Sequence, residues 1–234
     1  MTGPLRIGID FDNTIACYDG VFRRAALERG LVPADIGSSK NAVRDHLNGS
    51  GRKDAFTELQ GYVYAAWRGM AELYGVRGDH ARAAALNARA AALFNRFNDV
   101  FWDEEAGFYA FALDGDKRRV MSVASNVGQC LWTGIVRPDR ARLVVERLMA
   151  PDMYSGWGIR TLSANHAAFN PYSYHDGSVW PHDNALIARG LSAYGFRSEA
   201  MRIFEAQFDA ARHMELRRMP ELFCGFERRD GQGP

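Results

Sequence analysis

The amino-acid sequence predicts a mainly helical chain built of αα-hairpins, preceded by a short α/β segment. Three observations carry this expectation. After residue 60, apolar residues recur at the three- and four-residue spacing of a single helix face in several separate stretches. A Tyr-Gly-x-Arg string occurs twice, each time between two such stretches. Before residue 60 the pattern is different: one apolar run ends in an aspartate-rich string, and short glycine-broken segments follow.

Leu5-Arg6-Ile7-Gly8-Ile9-Asp10-Phe11 is a compact apolar run expected to form a buried strand of a parallel sheet. A helix over 21–29 is stopped by Gly30. Residues 33–53, broken by Pro33, Gly37, Gly49 and Gly51, read as loop with a short helix over 41–47. Val63, Ala66, Met70 and Leu73 mark the expected core face of a first long helix, and Leu86, Ala90, Leu93 and Phe97 that of a second. Ala141, Val144, Val145 and Leu148 repeat the spacing behind Asp139 as the expected cap. Pro181 suits the first turn of a helix running to about Tyr194. Met201, Phe204, Phe208 and Ala211 close the series behind Ser198. Long glycine- and aromatic-rich loops separate these helices, notably over 99–122 and 152–181. In Tyr74-Gly75-Val76-Arg77 and Tyr194-Gly195-Phe196-Arg197 the glycine is expected in the left-handed conformation that ends the first helix of a hairpin. Stacked hairpins of this kind form a toroid or solenoid; periodicity alone leaves an irregular helical domain open.

Length and composition exclude several classes. The chain has 234 residues, enough for one large domain or two small ones. Lys and Arg (29) nearly balance Asp and Glu (28), so there is no basic field to attract nucleic acid or an anionic membrane. No run approaches the ~18 apolar residues of a membrane span, and residues 1–8 lack the apolar core of a secretory signal. Cys17, Cys130 and Cys224 lie far apart and form no CxxC pair, which argues against a zinc ribbon or a thioredoxin-type site. A cytoplasmic location is expected.

Two sets of residues point to chemistry. Asp10 and Asp12 fall at the end of the first expected strand, where open α/β sheets place their ligands. Two such carboxylates, with Thr14 beyond, suit Mg²⁺ and a phosphoryl group: one attacks phosphorus while the other protonates the leaving oxygen. The string Ile7-Gly8-Ile9-Asp10-Phe11-Asp12-Asn13-Thr14-Ile15 resembles the first motif of the haloacid dehalogenase-like hydrolases. That resemblance, over residues 5 to about 64, implies Asp10 as nucleophile, Asp12 as general acid/base, and both as ligands of Mg²⁺. No later strand–helix alternation supplies the remaining motifs of that family.

The second set is aromatic. Tyr154-Ser155-Gly156-Trp157-Gly158-Ile159-Arg160 is followed by Asn170-Pro171-Tyr172-Ser173-Tyr174-His175-Asp176-Gly177-Ser178-Val179-Trp180-Pro181-His182-Asp183-Asn184. Trp and Tyr in glycine-rich loops offer flat apolar faces with polar edges, which suit a sugar ring whose hydroxyls are met by Asn, Asp, His and Arg. Any one Trp alone reads as core packing, and His182 reads equally as a structural histidine; the ensemble reads as a sugar site. Pro181 at a helix start aims His182 and Asp183 at the loop end.

These strings, from Gln60-Gly61-Tyr62-Val63-Tyr64 to Pro220-Glu221-Leu222-Phe223-Cys224-Gly225-Phe226, resemble the catalytic domain of glycogen-debranching, amylo-α-1,6-glucosidase-like enzymes of the six-hairpin glycosidase superfamily. The resemblance implies a partial (α/α)₆ toroid over 60–234, following a separate segment over 1–59. It implies hydrolysis of an α-glucan or oligosaccharide with inversion, by an acid and a base and without a cofactor. Glu221 would be the general base; Trp157, Arg160, His175, Trp180, His182 and Asp183 would line the sugar subsites. The loop carrying the family's general acid would precede Gln60, where this chain has the phosphatase-like segment, so catalysis is expected to be impaired; a non-catalytic sugar-binding remnant is the alternative. Twelve helices of about 11–12 residues with their loops exceed roughly 300 residues, and residues 60–234 hold about six or seven. Helix faces left uncovered are expected to favour self-association. Both resemblances share Glu58–Tyr64 with no linker between them, as expected where two reading frames have been joined, and residues 228–234 read as a stop within a loop.

Overall fold

The described residues of the computed structural model, 55–114 and 116–234, hold six α-helices paired as three hairpins. The chain divides into two units, Met1–Asp54 with Asp114–Asp116, and Ala55–Leu113 with Lys117–Pro234; all six helices belong to the second. The strand expected over 5–11, with Asp10 and Asp12, and the helix over 21–29 lie outside the described residues.

Helix α1 (Thr57–Val76) pairs with α2 (His80–Val100), α3 (Asn126–Thr133) with α4 (Pro138–Leu148), and α5 (Pro181–Ala193) with α6 (Arg197–His213). α3 also packs against both α1 and α5, so the first helices of the hairpins form one row and each carries its own partner. Two small antiparallel ladders are built from the segment between the first and second hairpins, one of them completed by the two residues that precede α1. β1 (Ala55–Phe56), β4 (Ala112–Leu113) and β5 (Arg119–Val120) pair in the order β1-β4-β5, with Phe56 opposite Ala112. β2 (Trp102–Asp103) pairs with β3 (Phe108–Tyr109). Among the described residues no helix is long and apolar enough to cross a membrane.

Local chemistry explains most helix ends. Pro138 and Pro181 occupy first turns, where the missing N–H costs nothing. The Asp79 carboxylate accepts from the Arg82 N–H at 3.1 Å and caps α2. Asp139 is not a cap: it lies inside the first turn of α4, where its two oxygens accept from the Arg137 guanidinium at 3.0 and 2.8 Å. Ser198 likewise lies inside α6, which begins at Arg197. Gly195 is left-handed as expected (φ +90°), but Gly75 is helical, because α1 runs on through Val76 and Gly78 (φ +78°) makes the turn instead.

The expected core faces hold for α2 and α4, where Ala90, Phe97, Ala141, Val144, Val145 and Leu148 are buried. They fail for α1 and α6. Val63, Met70 and Leu73 are exposed, as are Met201, Phe204 and Phe208. α1 instead buries Thr57, Gly61 and Ala71, and α6 buries Ile203, Ala206 and Ala210. The reason is close approach: a Cβ added at Gly61 would stand 2.8 Å from Thr133 Oγ1, so the small-residue side is the one that can meet α3. The core itself is aromatic and aliphatic. Phe97 stacks on Phe101 and on Tyr109, with centroids 5.0 Å apart in each pair. Leu131, Ile135, Leu148, Ile187 and Leu191 fill the space between α3, α4 and α5.

The loop from Asp152 to Trp180 is held at several points. Arg147 donates two hydrogen bonds to the Asp152 carboxylate at 2.8 and 2.7 Å, and Ser163 Oγ donates a third. Asn184 of α5 accepts from Ile159 N–H at 2.7 Å and donates to Ile159 carbonyl at 3.0 Å. A loop tied to a helix in this way can present side chains in fixed positions.

Candidate active site

A cleft of about 600 Å³ opens between the row of first helices and the long loops. Phe56 and Phe111 form one apolar side. Asn126 and Gln129, one helical turn apart on α3, contribute amides, and Ser122, Ser125 and Thr161 contribute hydroxyls. The 152–180 loop adds His166, His175, Asp176 and Trp180, and the first turn of α5 adds His182 and Asp183. Four of the residues expected to bind sugar, His175, Trp180, His182 and Asp183, are therefore brought together. Pro181 is responsible for the last two, since it starts α5 at the cleft.

Trp180 is fixed at its polar edge. Its Nε1–H donates to Tyr174 carbonyl and to Ser178 Oγ, both at 3.0 Å. The Tyr174 ring meets it edge-on with centroids 4.9 Å apart, His182 meets it edge-on at 5.5 Å, and His175 lies parallel at 5.6 Å. Tyr174 also donates its hydroxyl to Glu221 Oε1 at 2.8 Å. Glu221 is exposed and is not among the residues that line the cleft, but this bond ties its carboxylate to the aromatic group that does.

Beneath the aromatics lies a polar network. Gln129 Nε2–H donates to Asp183 Oδ1 at 2.5 Å, and the Tyr62 hydroxyl donates to Gln129 Oε1. Asp183 is almost fully buried. Burial pushes its carboxyl up, against the opposing effects of hydrogen bonds from Ser125 and Gln129 and of the nearby His182. Glu58, in the first turn of α1, is also pushed up by burial, and the Asp183 charge adds to this; bonds from its own backbone and from Asn126 act the other way. Its Oε2 is buried with no hydrogen-bond partner. Tyr62 rises to about 12, first by burial and then through the charges of Glu58 and Asp183. Glu58, Asn126, Gln129 and Asp176 are not among the residues that sequence reading picks out. The i, i+3 pair Asn126/Gln129 and the i, i+4 pair Glu58/Tyr62 were the available signals, each marking one helix face.

Trp157 and Arg160, also expected to line sugar subsites, are not among the residues that line the cleft. Trp157 is buried among Val179, Ala210 and Phe223, beneath the Arg228 guanidinium at 4.3 Å. Arg160 is 4% exposed, and its guanidinium donates to the carbonyls of Gly225 (2.6 Å), Pro151 (3.0 Å) and Asp152 (3.2 Å). Both residues fasten the loop to the C-terminal segment rather than facing the cleft. Among the described residues, no group of His, Cys, Asp and Glu has the arrangement of a metal site.

Residues 26–224 match the family described as the mannosylglycerate hydrolase MGH1-like glycoside hydrolase domain. The chain belongs to this family. A mannosylglycerate hydrolase from Rubrobacter radiotolerans is 32% identical over 147 residues, covering 60% of this chain and 32% of that protein. A probable trehalase from Saccharomyces cerevisiae is 26% identical over 114 residues, covering 46% of this chain and 14% of that protein. Among solved structures, the GH63 mannosylglycerate hydrolase from Thermus thermophilus in complex with Tris superposes with a TM-score of 0.68 at 21% identity. That match covers 91% of this chain and 46% of the Thermus one. The fold is thus of the six-hairpin (α/α)₆ toroid type, and the chain spans about a third of the Rubrobacter relative and about half of the Thermus chain. The match supports the six-hairpin glycosidase resemblance. It does not support glycogen debranching in particular, nor the haloacid dehalogenase-like reading of residues 5–64, part of which it overlaps.

Proposed function

We propose that this member of the MGH1-like glycoside hydrolase family acts on a small, polar glycoside, with Glu221 as general base. The observation that carries the reading is the cleft: an edge-anchored Trp180 flanked by His175 and His182, above amides and carboxyls, in about 600 Å³. That volume suits a ligand of disaccharide size, whose ring can lie against aromatic surface while polar groups meet its hydroxyls. Mannosylglycerate, the substrate named for the Rubrobacter relative, is the first candidate. A branched α-1,6-glucan is the alternative from the debranching resemblance.

In an inverting hydrolysis the base takes a proton from water while an acid protonates the leaving oxygen, the two carboxyls standing roughly 6.5–9.5 Å apart. Glu221 is exposed enough to reach a water and is oriented by the Tyr174 hydroxyl. The chemistry needs no cofactor. The acid partner is not assigned, and turnover by this chain is expected to be slow. The test is mannose release from mannosylglycerate, compared with reducing sugar from a branched α-glucan. Glu221→Gln should lower the rate by roughly 10²–10⁴. Trp180→Ala should abolish the tryptophan quenching that the substrate causes on binding. An active Glu221→Gln variant, or quenching unchanged by Trp180→Ala, overturns the assignment.

A further inference from the structure

A second pocket, of about 300 Å³, is lined by Asp209, Arg212 and His213 at the end of α6, Arg217 in the turn that follows, and Arg228 in the C-terminal segment. None of these residues lines the cleft. We propose that this pocket binds a phosphate group, either free or on a small phosphorylated compound.

Charge is the first argument. Three arginines and one aspartate line the pocket. Asp209 accepts from Arg228 at 2.8 Å and stands 3.7 Å from Arg212, while Arg217 makes no ion pair with any described residue. The Arg228 guanidinium beside Asp209 holds its carboxyl below the usual range, with Arg212 adding to the effect, so that carboxylate stays charged and offsets one guanidinium. The excess of two positive charges complements a phosphate dianion. Each guanidinium has five N–H donors in a planar fork that matches oxyanion geometry, and Asp209 occupies few of them.

Preorganisation is the second argument. Arg228 is fixed along its length: its backbone N–H donates to Ser155 carbonyl at 2.7 Å, and its guanidinium lies 4.3 Å over the Trp157 ring. Arg217 is held differently. Leu216 and Arg217 are consecutive left-handed residues (φ +51° and +56°), a conformation that non-glycine residues rarely adopt. Leu216 is 75% exposed, so burial of its side chain does not offset the strain. What the strained turn achieves is to place Arg217 on the wall of the pocket that Arg212 and Arg228 also line.

The ligand class follows from what lines the space. The pocket wall is guanidinium, imidazole and carboxylate, and the nearby Trp157 ring is buried beneath Arg228 and not open to stack on a base or sugar. A small oxyanion with several equivalent oxygens fits this better than an organic ring.

The test uses the full chain, titrated with inorganic phosphate at constant ionic strength set by chloride, and read by calorimetry and thermal unfolding. Phosphate at about tenfold its Kd should raise Tm by a few degrees. Arg217→Gly removes the guanidinium and also relieves the strain, since glycine takes the left-handed conformation freely. Its Tm without phosphate should equal or exceed that of the parent chain, while its phosphate affinity falls at least tenfold. Arg217→Lys should recover part of that loss. Glucose 6-phosphate binding as tightly as inorganic phosphate identifies the phosphate group alone as the ligand; tighter binding identifies a phosphorylated sugar. A Tm unchanged by phosphate at matched ionic strength, or full phosphate affinity in Arg217→Gly, overturns the proposal.

Discussion

Glu58 and Asp183 come from the first turns of α1 and α5 and meet beneath the cleft, each pushed above its ordinary value first by burial. A carboxyl whose folded value is raised binds its proton more tightly in the native state. Its contribution to stability is therefore complete below the ordinary values, 4.5 for Glu58 and 3.8 for Asp183, and is lost as pH rises through the folded values. Glu58→Gln removes the charge at nearly constant shape. It is expected to raise Tm relative to the parent chain at pH 8 and to lose that advantage toward pH 4, as followed by circular dichroism. An equal difference at both pH values would rule out the burial of charge as its cause. The two residues differ in legibility. Asp183 could be placed from Pro181, because a proline at a helix start fixes which end the next side chains face. Glu58 could not: its i, i+4 spacing to Tyr62 marks a helix face, but nothing local announces that this face will meet a carboxyl from a helix two hairpins later. Trp157 and Trp180 sit in similar glycine-rich strings, yet one is core and the other lines the cleft.

Among the elements, α3 is the organising helix, short and nearly all buried, with α1 on one side and α5 on the other. Its neighbours approach through glycine. A Cβ added at Gly190 would stand 2.5 Å from Trp132 N, a backbone atom that cannot yield without moving α3. Gly190→Ala is expected to destabilise the chain by about 1–3 kcal/mol in urea unfolding. Gly69, on α1, has nothing within 4 Å of the same built atom, so Gly69→Ala should stabilise by about 0.5–1 kcal/mol through helix propensity alone. The same substitution thus carries opposite signs, and two results of one sign would contradict the packing described. Apolar periodicity located both α1 and α6 but chose the wrong face for packing on each. Their Val, Met, Leu and Phe side chains form an outward stripe, and the inward side is made of small residues that permit close backbone approach.

For the molecule as a whole, those stripes matter most. Val63, Met70 and Leu73 on α1, and Phe204 and Phe208 on α6, leave apolar surface on the first and the last of the described helices. The three hairpins of the described residues are half of a six-hairpin toroid, and the chain spans about half of the Thermus structure it resembles. Apolar surface of this extent favours association in water. Sedimentation of the chain is expected to show self-association that rises with concentration. Phe204→Ser with Phe208→Ser should weaken it without loss of helical signal, because neither side chain belongs to the core. A monomer at all concentrations would remove the stripes as interaction surfaces.

Spacing along the chain was enough to locate five of the six described helices of the second unit, all but the short α3, to pair α1 with α2 and α5 with α6 as hairpins, and to give their loops aromatic and polar side chains, and the glycosidase resemblance rests on those same strings. All of this depends on residues close together in the chain: helical periodicity, proline at a first turn, glycine in a loop. Folding in three dimensions settled which helix face is buried, which tryptophan meets the cleft, that Arg160 fastens the loop and does not line the cleft, and that Glu58 and Asp183 share one buried site. Each of those depends on the shape and charge of a partner far away in the chain. Two helix faces of similar apolarity differ only in how closely a neighbour can approach them, and that is set by packing, not by periodicity.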